Sequence, residues 1–273
     1  MEKNKTKFIP KLLIFMFLVT SAFWLGCESK TSKEDSALIE LDEEVTPVNL
    51  TINAEATYLL KRSLDNLSGL TKFSVQTQTS FEDLFDYGYR VNYETSGNII
   101  VNRPNKIRIN RFGLEMHQVF YYDGENLTLH NPYEKVYGAV PLKGTIESML
   151  HTARDVYGFT GPAGDLVYDN SYALLMNGVN YAEVVGKEMI EGVMCDHLIF
   201  GQPEVSFQIW TSENEPYLPY KYVVTDISTP QLLSFAITMT DWDTPTDMED
   251  ALFEFIPSEE TAKIEFLKVD QEK

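Results

Sequence analysis

Cysteine and histidine, the side chains most readily recruited as thiolate nucleophiles, general bases and soft-metal ligands, are few in this 273-residue chain. They are two cysteines, Cys27 and Cys195, and four histidines, His117, His130, His151 and His197. Cys195 stands two residues before His197. A thiolate and an imidazole act as nucleophile and base only within hydrogen-bond reach. Residues 193–200 read as a strand, where side chains two apart share a face but sit about 7 Å from one another. No third group stands beside the pair to orient the ring, so both read as packing residues; cysteine is among the residue types most often buried. No two histidines have a metal-ligand spacing. There is no G-x-S-x-G elbow, H-E-x-x-H helix, P-loop or D-x-D-x-D-G calcium loop. The sequence therefore presents no catalytic constellation, no metal site and no cofactor motif. What it has in quantity is aromatic surface: 15 Tyr and 16 Phe, on alternating positions of strand-like segments. Such alternation lines either an ordinary helix-on-sheet core or a pocket for an apolar ligand with a few polar anchors.

Cys27 stands in a different setting. Lys3, Lys5, Lys7 and Lys11 make a basic start, and residues 12–26 then run without a charge. A helix crossing a bilayer needs about 20 apolar residues, so this run is short for a permanent span. A basic start, a short apolar run and small residues before a cut describe a secretory signal. The run ends in Leu25-Gly26-Cys27, which resembles the lipobox of bacterial lipoproteins, with Trp24 where Leu is usual. The resemblance implies a signal peptide over residues 1–26, cleavage before Cys27, and acylation of Cys27. Two or three acyl chains hold a protein on a membrane; one does so only marginally. Glu28, where retention in the inner membrane would call for Asp, leans by the same analogy to the outer membrane. Residues 27–48 are polar and acidic and cannot bury enough apolar surface to offset chain entropy, so they read as a flexible tether.

Removal of the leader, with its four lysines and one glutamate, takes the formal net charge from −19 to −22. Such a chain is repelled by phosphate backbones and anionic lipid surfaces, so nucleic acid is excluded as a partner. With Cys27 acylated, Cys195 has no disulfide partner within the chain, and the fold stands on its core.

The elements that position these residues are mostly β. Ala56, Leu59, Leu60, Leu64 and Leu67 recur at helical spacing over residues 50–70, with Asn53 as N-cap and Ser68-Gly69 as the stop. After Thr71 the period becomes two. Strand-like segments follow around Phe73–Thr79, Tyr89–Tyr93, and residues 98–102, 106–111 and 119–122. Asp123-Gly124 marks a hairpin turn, followed by strands at 127–129 and 136–142. Two helical stretches then interrupt the meander, at 145–157 and 165–176, separated by Gly158, Gly161 and Gly164. Strands resume at 181–190, 193–200, 206–211, 220–227 and 232–242, with edge segments around Phe253, Phe255, Ile264 and Phe266. One domain over residues 49–273 is the expected count.

Arg103-Pro104, Phe120-Tyr121-Tyr122-Asp123-Gly124, Gly144-Thr145-Ile146, Cys195-Asp196-His197-Leu198, Gln208-Ile209-Trp210, Leu218-Pro219-Tyr220-Lys221, Asp241-Trp242 and Phe253-Glu254-Phe255 together resemble a bacterial family of predicted periplasmic proteins of unknown function. That family is in turn similar to the superfamily of the lipoprotein carrier LolA and its receptor LolB. The resemblance implies a mostly β (α+β) fold: an open antiparallel half-barrel of about eleven strands, with covering helices in the concave face. It implies an acyl chain or lipoprotein lipid bound in the hollow. It also implies that Arg103, before Pro104, fastens the covering helices through their backbone. The leading expectation is a lipid-anchored binding module whose partners are an acylated ligand and, through Cys27, the membrane. The alternative is an envelope scaffold whose hollow is filled by its own helices and which meets protein partners through its surface; a hydrolase is the third.

Overall fold

The structure is a computed structural model, and it describes residues 51–114, 116–159, 163–266 and 268. The expected leader, Cys27 and the tether lie outside the described residues. No helix among the described residues is long and apolar enough to cross a membrane.

Helix α1 (Ala54–Gly69) opens the domain. The Asn53 side chain accepts from the Glu55 N–H at 2.8 Å and the Ala56 N–H at 3.4 Å, satisfying donors that a helix start leaves free. Ala56, Leu59, Leu60, Leu64 and Leu67 form its buried stripe. The helix stops at Leu70, whose extended backbone leads into the sheet.

The sheet has twelve strands and does not close into a barrel. The first meander comprises β1 (Lys72–Leu84), β2 (Arg90–Asn102), β3 (Lys106–Gly113), β4 (Met116–Tyr122), β5 (Asn126–Asn131) and β6 (Val136–Pro141). The second comprises β7 (Tyr181–Ile190), β8 (Val193–Gly201), β9 (Val205–Ser212), β10 (Pro219–Asp226) and β11 (Ser234–Asp243). The two meanders join where β11 pairs with β1, giving the spatial order β12-β6-β5-β4-β3-β2-β1-β11-β10-β9-β8-β7. All neighbours are antiparallel except β12 (Ala262–Lys263), which runs parallel to β6. The β7–β8 turn carries Glu191 and Gly192 at φ 45° and 82°, the left-handed pair that a tight hairpin requires.

One face of the sheet bears the core. Phe73, Val75, Val101, Ile107, Tyr122 and Leu127 from the first meander meet Leu198, Phe200, Phe207, Ile209 and Tyr222 from the second, under α1. The outer face has a smaller cluster of Ile190, Cys195 and Trp210. The C-terminal segment crosses that outer face. Phe255 packs on Tyr121, His130 and Tyr137, and Phe266 then lies against Phe159 beyond β6.

The expected half-barrel of about eleven strands with covering helices is the fold observed, with the two-residue β12 added at an edge. Three expectations are corrected. The segments read separately around Tyr89–Tyr93 and 98–102 are one strand, β2. Gly97 lies within it, and a Cβ there would lie 1.9 Å from the Asn110 carbonyl oxygen of β3. The second helical stretch is not continuous; a 3-10 turn at Gly164–Val167 is followed by an extended Tyr168 and then helix α3 (Ser171–Met176). The polar Asp169-Asn170-Ser171 run favours local backbone bonding over helix. Of the expected edge segments, Phe253 ends a 3-10 turn, Phe255, Ile264 and Phe266 lie outside strands, and only Ala262–Lys263 pairs with the sheet.

Candidate functional site

Because β6 and β7 lie near opposite edges of an open sheet, the chain between them must cross from one edge to the other. It does so as helix α2 (Ile146–Tyr157), the 3-10 turn and α3, which together cover the inner face. Thr145 caps α2 by accepting from the Ser148 N–H, and Gly158 ends it in the left-handed conformation at φ 69°. Ile146, Met149, Ala153, Leu166, Val167 and Leu175 are buried in the same apolar cluster as the sheet. Full burial of such side chains is worth about 1.5–3 kcal/mol each, so the cover is held mainly by apolar contact.

Polar fasteners pin the cover at separate points. Arg103, in the β2–β3 turn, donates from Nη1 to the Val167 carbonyl at 2.7 Å and to Asp169 at 2.7 Å, and from Nε to the Leu70 carbonyl at 3.1 Å. One side chain thus joins the end of α1, the sheet and the cover. Its side chain is only 11% exposed. Burial pulls its guanidinium below the ordinary arginine range, against the opposing pull of Asp169 and Glu147. Its Nη2 is buried and has no hydrogen-bond partner among the described residues.

Three further fasteners carry no sequence signal. Tyr122 Oη donates to the Gly144 carbonyl at 2.8 Å, where the chain leaves the sheet for α2. Tyr222 Oη, on β10, donates to Asp165 of the 3-10 turn at 2.9 Å. Burial raises the Asp165 carboxyl above the usual carboxylate range, although Tyr222 and the backbone N–H groups of Asp165 and Leu166 favour its charged form. Gln202 donates to the carbonyls of Leu175 and Asn177 at 2.8 and 3.0 Å, holding the end of α3. Tyr122, Asp165, Tyr222 and Gln202 read in sequence as ordinary strand or loop residues, because what brings them to the cover is the crossing itself.

Of the three glycines between the helical stretches, Gly158 and Gly164 flank the bend and Gly161 lies outside the described residues. Cys195 and His197 lie on the outer face, away from the cover. Burial, with the negative charges of Asp196 and Glu188, pushes the Cys195 thiol up to about 11, which keeps it protonated and poorly nucleophilic. His197 stacks on Trp210 at 4.0 Å and shares a 2.8 Å hydrogen bond with Gln208. No group of three or more His, Cys, Asp or Glu able to hold a metal occurs among the described residues.

The chain is similar in fold to solved structures of low sequence identity. These include LprF from Mycobacterium bovis, with 14% identity and TM-score 0.45 over 73% of this chain and 98% of that one. The lipoprotein LppX of Mycobacterium tuberculosis has 16% identity and TM-score 0.38 over 71% and 98%. The LolA superfamily protein NE2245 of Nitrosomonas europaea has 13% identity and TM-score 0.33 over 73% and 97%. No curated protein matches the chain in sequence. Residues 56–267, nearly the whole described domain, match the predicted periplasmic protein family DUF2092, and the chain belongs to that family.

Proposed function

We propose that this chain is an envelope lipoprotein, anchored through Cys27, that takes an acyl chain between its sheet and the helical cover. The observation that carries the reading is the manner in which the cover is attached. It is apolar toward the sheet and pinned by a few isolated polar bonds, with Arg103 at the junction of three elements. Opening such a cover to water would cost on the order of 10 kcal/mol of apolar burial. Opening it onto an acyl chain exchanges one apolar contact for another, so that cost largely disappears. The polar bonds then decide how readily the cover parts, and Nη2 of Arg103, buried without a partner among the described residues, is the donor this reading assigns to a carbonyl or ester oxygen of the ligand.

A second reading has its own support. The same burial of Ile146, Met149, Leu166 and Leu175 fits a scaffold whose hollow is permanently filled by its own helices. The two readings part on one experiment. Arg103→Leu removes charge-assisted bonds worth about 1.5–3 kcal/mol. For a ligand-binding cover, the variant remains folded, amide exchange over residues 146–176 rises roughly tenfold or more with the sheet unchanged, an apolar dye binds, and native mass spectrometry with lipid extraction shows altered lipid retention. Unchanged exchange, no dye binding and no lipid on the wild type would leave the scaffold.

A further inference from the structure

The alternation of the meander places the β1–β2, β3–β4, β5–β6, β8–β9 and β10–β11 turns along one rim of the sheet, and the β2–β3, β4–β5, β7–β8 and β9–β10 turns along the other. The pairings Tyr181 with Gly201, Gly201 with Ser206, Ser206 with Thr225, Thr225 with Ser234, and Phe235 with Phe81 trace the first rim across the second meander into the first.

The two rims differ in chemistry. The first carries large apolar side chains in its turns: Leu84, Phe85, Tyr87, Tyr89, Leu114 and Tyr133 are all exposed, Tyr87 at 98% and Leu114 at 94%. They come from three successive hairpins and lie outside the core. The second rim carries exposed acidic residues in its turns, Glu125, Glu191 and Glu215, as the first does at Glu134 and Glu204, but no exposed aromatic among the described residues of those turns. A patch of exposed aromatic and apolar side chains drawn from several turns is not required by folding and marks an interaction surface.

The entry point of the chain indicates what covers it. Thr51 accepts from the Ala182 N–H at 3.0 Å, and the Asn53 N–H donates to the Ala182 carbonyl at 2.9 Å. Residue 51 is therefore fixed to the start of β7, on the aromatic rim. The 50 residues that precede it, Cys27 among them, join the domain there. Tyr suits the boundary between headgroups and acyl chains, where its ring is buried while its hydroxyl remains wet, and Phe and Leu suit the acyl side of that boundary.

From this juxtaposition, exposed aromatic turns beside the point where the anchored segment enters, we infer that this rim docks into the interface of an uncharged, zwitterionic phospholipid bilayer, with the opposite rim turned away. The inference uses the proposed anchor at Cys27 to choose the occupant, but it makes a separate claim about the domain's orientation. The formal net charge, −19 for the whole chain and −22 without the leader, excludes an anionic surface as the preferred one.

The test uses protein purified from the membranes of producing cells and reconstituted on phosphatidylcholine vesicles with bromine-labelled acyl chains. A fluorophore is attached at Tyr87→Cys or, on the opposite rim, at Glu191→Cys; Cys195 is buried and is spared. The expected result is quenching of the Tyr87 label several-fold stronger than that of the Glu191 label. Adding Phe85→Ser with Leu114→Ser, both at exposed positions, should at least halve the quenching at Tyr87. Protein that floats with the vesicles while the two labels are quenched alike, or not at all, overturns the docking inference and leaves the anchor standing. Protein that neither floats nor quenches overturns both. A Tyr87 label shielded in a sedimenting dimer without vesicles makes a second copy the occupant and overturns the bilayer.

Discussion

At the scale of single residues, a few polar side chains fasten the cover to the sheet. Cys195 and His197 were readable as packing residues because a strand holds alternate side chains too far apart for proton transfer, and the structure places them in an outer-face cluster with Trp210. Cys195→Ala should therefore cost about 1–3 kcal/mol in chemical denaturation and affect no other property. Asp165 is the more informative side chain. Its carboxyl is raised by burial in the closed cover, so the closed state holds a proton more tightly than an open or unfolded one. Its contribution is full below the ordinary carboxylate range and is lost as pH rises through the raised value. Amide exchange over residues 146–176, corrected for its intrinsic pH dependence, should accelerate across that window in the wild type. Asp165→Asn should flatten the difference, and an identical pH profile for both proteins would contradict the assignment.

At the scale of elements, sequence periodicity and local turn chemistry agree closely with the structure wherever one face of an element is buried. The helix after Asn53 and the turn at Asp123-Gly124, with Gly124 at φ 94°, both follow from residues adjacent in the chain. The errors have physical causes. Gly97 interrupts the apolar pattern, yet β2 runs through it because the neighbouring strand needs that space. Gly97→Ala should force the β2–β3 ladder apart beside Asn110 and destabilise the protein by at least about 2 kcal/mol, read as a lowered denaturation midpoint. A neutral effect would mean the strands separate there at no cost. The break at residues 168–170 escaped detection because the apolar spacing of Leu166, Val167, Leu174 and Leu175 suits one continuous helix. The Val167 carbonyl is instead taken by Arg103, from a turn 64 residues earlier.

At the scale of the whole molecule, the open sheet has two distinct rims, one covered face and a chain entry on the aromatic side. The family is one of predicted periplasmic proteins, consistent with an exported chain. The proposed anchor gives the last prediction. Cys27→Ser should abolish acylation and release the domain from membranes or leave it uncleaved, as seen by fractionation and intact-mass measurement. Unchanged membrane association with no lipid mass on Cys27 in the wild type would remove the lipoprotein reading.

Much of this protein was determined by the sequence alone, because the governing interactions act over a few residues. The order of helix, strands, helical insert and strands and the family both rest on neighbouring residues or on their order along the chain. Arg103 stood out because Pro104 follows it. Only the tertiary structure decided what Arg103, Tyr122, Asp165, Tyr222 and Gln202 hold, and which turns share a rim with Thr51. Those relations depend on β11 pairing with β1, which sets β6 and β7 near opposite edges and sends the chain between them across the inner face. Contacts that depend on such a long-range strand pairing leave no local periodicity to read, since neither partner's neighbours differ from those of an ordinary strand or turn.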